Sequence, residues 1–132
     1  DANGNEYIIT ARKGEVDISN NNIIFLEKVN GIIKLNNKNQ ITISSDYGKY
    51  NINNFDTIFS KNVLINYLNN KITGEYLDFS IDRSTMIMSK KIVYSNLNDT
   101  IEADVIEINI KNKDTKIFMY NKNNKVSLKK IN

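Results

Sequence analysis

Ile43-Ser44-Ser45-Asp46-Tyr47-Gly48-Lys49-Tyr50-Asn51-Ile52 is a ten-residue block whose pattern comes back twice at a fixed interval. Twenty-nine residues on stands Ile72-Thr73-Gly74-Glu75-Tyr76-Leu77-Asp78-Phe79-Ser80-Ile81, and twenty-nine further Ile101-Glu102-Ala103-Asp104-Val105-Ile106-Glu107-Ile108-Asn109-Ile110. Each block opens and closes on Ile and carries an acid in fourth place: Asp46, Glu75 and Asp104. A weaker copy spans 9–18, thirty-four residues ahead of the first, with Arg12 at that place. A second anchor keeps the same phase, as Ile24-Phe25, Ile58-Phe59, Ile87-Met88 and a truncated Ile117-Phe118. Two anchors sharing their intervals indicate a repeat of about 29–34 residues, one supersecondary unit per copy.

Within each block the apolar positions change parity midway. Ile41 and Ile43 are followed by Tyr50 and Ile52, Ile72 by Leu77, Phe79 and Ile81, and Ile101 by Ile106, Ile108 and Ile110. Side chains alternate between the two faces of a strand, so a parity change means a bulge that shifts the inward face by one residue and bends the strand. Its recurrence at one place per copy predicts a curved sheet. Between the blocks, alternating runs at 6–12, 15–19, 23–29, 29–35, 57–60, 63–68, 85–89, 92–95, 116–120 and 125–131 predict further strands, with a bend at Lys13-Gly14. Asn clusters at 20–22, 36–39, 69–71, 96–99 and 121–124 mark the turns. With no Pro and five Gly in the chain, Asn is expected to supply the left-handed conformations that turns require. No helical stripe at i, i+3, i+4, i+7 persists. The fold class is therefore all-β, an assembly of antiparallel hairpins stacked because one unit cannot bury its apolar face alone, with a closed barrel as the alternative.

At 132 residues, 40% hydrophobic and 25% charged, the chain reads as a single domain, 1–132, with a sizeable core. Its net charge of +3 is spread along the sequence, with only short runs such as Lys90-Lys91 and Lys129-Lys130, so it draws no nucleic-acid footprint. With no His and no Cys, the usual general base, thiolate nucleophiles and most transition-metal ligands are missing. An enzyme is not expected, nor a cofactor or metal. The acids Asp46, Glu75 and Asp104 could stack as a calcium ladder, but the Gly-rich spacing of calcium β-helices is lacking, and a solvated outer face is the preferred reading. Glu102, Asp104 and Glu107 would form an acid/base pair only in a shaped cleft.

Places six, eight and ten of the blocks hold Val16 and Ile18; Tyr50 and Ile52; Leu77, Phe79 and Ile81; Ile106, Ile108 and Ile110. This set reads as one inward-facing ladder. It is either plain core or, if the stacked architecture has an open seam, the lining of a groove for a long apolar ligand. A stack that does not close also leaves an edge at each end. The candidates are the strands carrying Tyr7 and Ile9 at the N-terminus and Val126 and Leu128 at the C-terminus, whose lysines would deter indiscriminate pairing.

Tyr7-Ile8-Ile9-Thr10-Ala11-Arg12, the 46–51 turn, Asp56-Thr57-Ile58-Phe59-Ser60-Lys61-Asn62-Val63 and Ile101-Glu102-Ala103-Asp104 together resemble the OstA-like periplasmic domains of the lipopolysaccharide export bridge. Within that family the LptC type, anchored in the inner membrane, is the most similar, and the soluble LptA type the next. The family's Gly-Asn-Val turn appears here as Lys61-Asn62-Val63 and Lys90-Lys91-Ile92. The resemblance implies a twisted open β-jellyroll-like stack of antiparallel strands, two sheets meeting in a V, with the acyl chains of lipopolysaccharide held in the slit. It further implies a periplasmic location with an anchor preceding Asp1. The implied partners are an LptA-like bridge component at the C-terminal edge and the periplasmic domains of the inner-membrane transporter at the N-terminal edge. A structural or adhesive β-solenoid and a sugar-binding module are the competing readings; for the latter Tyr47, Tyr50, Tyr67, Tyr76 and Tyr94 look dispersed.

Overall fold

A computed structural model describes residues 6–35, 38–110, 115–121 and 124–131, with side chains up to residue 110. The described residues form nine strands: β1 (Glu6–Asp17), β2 (Asn20–Lys34), β3 (Gln40–Asn51), β4 (Thr57–Tyr67), β5 (Asn70–Ser80), β6 (Thr85–Ser95), β7 (Thr100–Asn109), β8 (Thr115–Asn121) and β9 (Asn124–Ile131). They are hydrogen-bonded in sequence order in one open antiparallel sheet. The fold is all-β and open β-jellyroll-like, with one hairpin per sequence repeat. β1 runs through Lys13 and Gly14 without a break, because Lys13 pairs with Glu27 and Gly14 with Leu26 in continuous register. The bend of β1 falls just before them, at Arg12 opposite Lys28, where the pairing is interrupted and Lys28 has φ of 53°.

The breaks lie where apolar parity changes. The register slips between Ser44 and Tyr47, Ser60 and Val63, Thr73 and Tyr76, and Ser89 and Ile92. At this line Lys28, Lys61, Asn62, Lys90 and Lys91 have φ of 53°, 64°, 53°, 71° and 54°, the left-handed conformation that lets a strand turn a corner. Two of the repeat's fourth-place acids, Asp46 and Glu75, serve these corners. Glu75 accepts the backbone N–H of Asn62 at 3.1 Å. Asp46 accepts the Asn62 side-chain amide at 2.7 Å and lies 3.4 Å from the Lys28 ammonium. These acids are thus corner braces on the outside of the fold, and the calcium-ladder arrangement weighed from sequence is not formed by Asp46 and Glu75.

The corner line folds the sheet into two arms. The first holds 6–11 of β1, 29–34 of β2, 40–45 of β3, 63–67 of β4, 70–74 of β5, 92–95 of β6 and 100–103 of β7. The second holds the remaining parts of these strands, and β8 and β9 extend it alone, since β8 pairs with β7 only at 105–109. One observation shows that the arms meet face to face. Tyr7 is in register with Ile33, Ile41 and Tyr67, at the end of β4 opposite to Thr57. An eleven-residue strand, if straight, would hold the two ends about 30 Å apart. Yet the Tyr7 ring stands edge-on to Phe79 at 4.8 Å, and its hydroxyl is 3.2 Å from Thr57 Oγ1.

Between the arms lies one core. The first arm contributes Val29, Ile33, Ile41, Ile43, Val63, Ile65, Ile72 and Ile92, the second Phe59, Leu77, Phe79, Met86, Met88, Ile106 and Ile108. The slit implied by the resemblance is filled by these side chains along most of its length. Burying each large residue contributes about 1.5–3 kcal/mol, so the zipped arms stabilise each other.

Asn marks the turns, but by a different device from the one expected. Asn62 is the only Asn among the described non-Gly residues with positive φ. Asn20, Asn51, Asn54 and Asn96 instead accept a backbone N–H two residues on, from Asn22, Asn53, Asp56 and Asn98. A short side-chain carbonyl bonding its own backbone braces a turn without the left-handed conformation. Two further turn expectations, at Asn36-Asn37 and Lys122-Asn123, lie outside the described residues.

Candidate ligand pocket at the mouth of the two arms

Register places the sequence ladder in order. Val16, Ile24, Tyr50, Thr57, Phe79, Met86 and Ile108 are successive cross-strand partners on the inner face of the second arm. Gly14, Leu26, Gly48, Phe59, Leu77, Met88 and Ile106 form the next row inward. Leu77, Phe79, Ile106, Ile108 and Ile110 are buried, and Tyr50 and Ile81 are half-buried.

Three members depart from the inward expectation. Val16 is 54% exposed, Ile18 97% and Ile52 44%. Ile18 sits in the turn between Asp17 and Asn20, and Ile52 in the turn after β3. Val16 keeps its place in the row but lacks a cover. Sheet twist rotates the arms against each other, so that β1 of the first arm lies over β4 and β5 of the second: Tyr7 touches Thr57 and Phe79. The β1–β2 end of the second arm therefore faces no opposite layer.

Where the strand ends of the two arms part, a cavity of about 400 Å³ remains. Tyr7 and Ile33 line it from the first arm; Tyr50, Phe79, Ile81 and Ile110 line it from the second, with Phe55, Ser84 and Glu6 at its sides. The connections that form its rim are held by backbone hydrogen bonds: Asn51 N–H to Asp56 O, Phe55 N–H to Asn51 O and Ile110 N–H to Ser84 O. The Asp56 carboxylate accepts the Ile81 N–H at 3.2 Å. Phe55 lies 6.4 Å from Tyr50, ring to ring, with φ of 64°.

Electrostatically the pocket is quiet. Glu6 is the one carboxylate among its described lining residues, and the Tyr7 phenol is held far above its ordinary ionisation range, first by burial and with the hydrogen bond to Thr57 opposing. Burial also raises Tyr50. Thr57 is 3.3 Å from the Phe55 carbonyl and receives the Tyr7 hydroxyl, so a water-poor wall is completed without an unpaired polar atom. The wall is mostly apolar, with Glu6 as its one carboxylate among the described lining residues, and no group of three or more His, Cys, Asp or Glu stands together to hold a metal among the described residues. Of the ten residues read from sequence as a possible groove lining, Tyr50, Phe79, Ile81 and Ile110 stand in the wall of this cavity. Tyr7, expected on an edge strand, is on one and also lines the cavity, and Phe55 and Ser84 in the wall were not singled out from sequence. The one available signal was an aromatic residue among the polar residues of 53–56, Asn53-Asn54-Phe55-Asp56.

Both edge strands exist as expected. β1 carries Tyr7 and Ile9, and β9 carries Val126 and Leu128, with Leu128 opposite Phe118 of β8. The side chains of Val126 and Leu128 lie outside the described residues. Glu102 and Asp104 are exposed on the first arm side of the corner and Glu107 follows on the second arm; the lining of the mouth cavity includes none of them. No family model and no curated protein sequence matches the chain.

Proposed function

We propose that this chain is a lipid-binding bridge domain of the lipopolysaccharide export type, taking acyl chains at the mouth between its arms and joining neighbours through its edge strands. The observation that carries the reading is the apolar cavity bounded by Tyr7, Ile33, Tyr50, Phe79, Ile81 and Ile110. Its volume falls in the range of about 300–1,000 Å³ typical of small-ligand sites. Each acyl CH₂ buried there contributes about 0.8 kcal/mol. The interior behind it is already packed, so a lipid with several chains enters further only if the arms part and the Tyr7–Phe79 contact breaks.

The proposal includes a periplasmic location. An LptA-like component adds a strand to β9, and the transporter's periplasmic domains add one to β1, with backbone groups supplying the affinity. A photo-crosslinker at Ile81 or Tyr50 should capture lipopolysaccharide, and one at Glu107, on the outer face, should not. Capture at Glu107 alone would reject the mouth as the site. For the joint, Ser127→Pro or Leu128→Pro removes a backbone donor; successive N–H groups point to opposite sides of a strand, so one of the two variants removes the donor at the free edge. That variant should lose partner capture, and retention at wild-type strength in both would exclude β9 as the joint.

A further inference from the structure

The outer face of the second arm carries a feature the lipid reading leaves unused. Lys13, Glu27, Tyr47, Ser60, Tyr76 and Ser89 are successive cross-strand partners, and they point outward because their neighbours Gly48, Phe59, Leu77 and Met88 are buried inward. A groove of about 590 Å³ runs along this row from Lys13 to Tyr76. Tyr47 is 45% exposed. The two tyrosines occupy strands separated by one intervening strand, which sets them roughly 9.5 Å apart.

The repeat makes two like units here. Tyr47 and Tyr76, Ser60 and Ser89, and Lys61 and Lys90 are each twenty-nine residues apart. The Lys61 ammonium lies 5.7 Å from the Tyr47 ring centre and the Lys90 ammonium 6.0 Å from that of Tyr76. A tyrosine, a serine hydroxyl and a lysine thus recur together with a spacing of two strands. The wall beside them is balanced in charge: Lys13 and Lys49 against Glu15 and Glu27, with Lys13 3.8 Å from Glu27.

We infer that this groove is a binding site for an extended, uncharged polysaccharide lying across the strands. Sugar rings present apolar C–H faces that pack on aromatic rings, and hydroxyls that both donate and accept. The carboxylates of Glu15 and Glu27 accept such hydroxyls, and the serines and lysines donate to them. An anionic polymer or a phosphate would meet those two carboxylates inside the groove, whereas Lys61 and Lys90 stand over the tyrosine rings and outside its lining, so the groove's own wall favours a neutral ligand. A two-strand repeat of tyrosines suits a chain whose ring faces recur every second sugar.

The test titrates the isotopically labelled full chain with cellohexaose, chitohexaose and a soluble mixed-linkage β-glucan, following backbone amides by NMR. At least one glycan should shift Tyr47, Ser60 and Tyr76, with heparin weaker than that glycan. Tyr47→Ala and Tyr76→Ala should each weaken binding tenfold or more, while the Phe variants keep most of it, and circular dichroism should report an intact fold. No shift with any of the three, undiminished binding in the double Ala variant, or a preference for heparin would each overturn the assignment. The row is on the face opposite the mouth, so lipid crosslinking at Ile81 should be unaltered in the double variant and reports separately on the lipid reading.

Discussion

Tyr7 is the residue on which the closure of the molecule turns. It belongs to the first arm by register, yet its ring and hydroxyl are spent on Phe79 and Thr57 of the second. Its phenol is harder to ionise folded than unfolded, where its value is near 10. The raised folded value means that the stabilising difference is present below pH 10 and is lost as pH rises above it, because only the unfolded chain then sheds the proton. Chemical denaturation between pH 9 and about 12 should show stability falling, and Tyr7→Phe should flatten that fall. Phe79, which is 1% exposed, sits beneath it. Phe79→Ala should cost about 3–5 kcal/mol, measured from the urea midpoint. Asp46 behaves in the opposite sense. The Asn62 amide, with Lys28 nearby, holds its carboxyl below the ordinary range, so its contribution is present above pH 4 and lost as pH falls through the lowered value.

Strands here are long, between seven and fifteen residues, and the corners are what make such lengths usable in a small domain. Left-handed backbone in non-Gly residues costs about 1–2 kcal/mol each. Lys91, at φ 54°, is an exposed instance. Lys91→Gly should therefore hold or raise stability, offset in part by the unfolded-state entropy of Gly, whereas Lys91→Val should lower it by at least about 1 kcal/mol, since a β-branched side chain fits that conformation worst. Thermal unfolding of the two variants side by side checks the sign. The edge strands raise a different matter. β1 pairs along its full length with β2 on one side only, and its pairing capacity on the other side is what the proposed joint would use.

At the scale of the whole molecule, the two arms share one core and should therefore unfold together. Gly48 shows how close they come: a Cβ added there would stand 2.9 Å from Val29 Cγ2. Gly48→Ala should destabilise the fold by about 1–3 kcal/mol through overpacking. Tyrosine near-ultraviolet and backbone far-ultraviolet signals should shift together, as expected when a domain melts as one unit. If they separate, the arms are independent.

Much of this was legible in the chain. The two-residue alternation, the parity change inside each block and the interval of twenty-nine residues required strands that bend at one recurring place, because side chains on a strand can face only two ways. The short polar turns between strands implied antiparallel hairpins, and Leu77, Phe79, Ile106 and Ile108 were marked as inward by period alone. The tertiary structure decided the angle at which the arms cross. That angle left Val16 without a cover, brought Tyr7 onto Phe79 and opened the mouth beside Phe55 and Ser84, while the register of β3, β4 and β5 lined up Tyr47 with Tyr76 on the outside. Local periodicity says which face a residue is on; which other face it meets depends on the accumulated twist and bend of many strands, a sum that no short stretch of sequence contains.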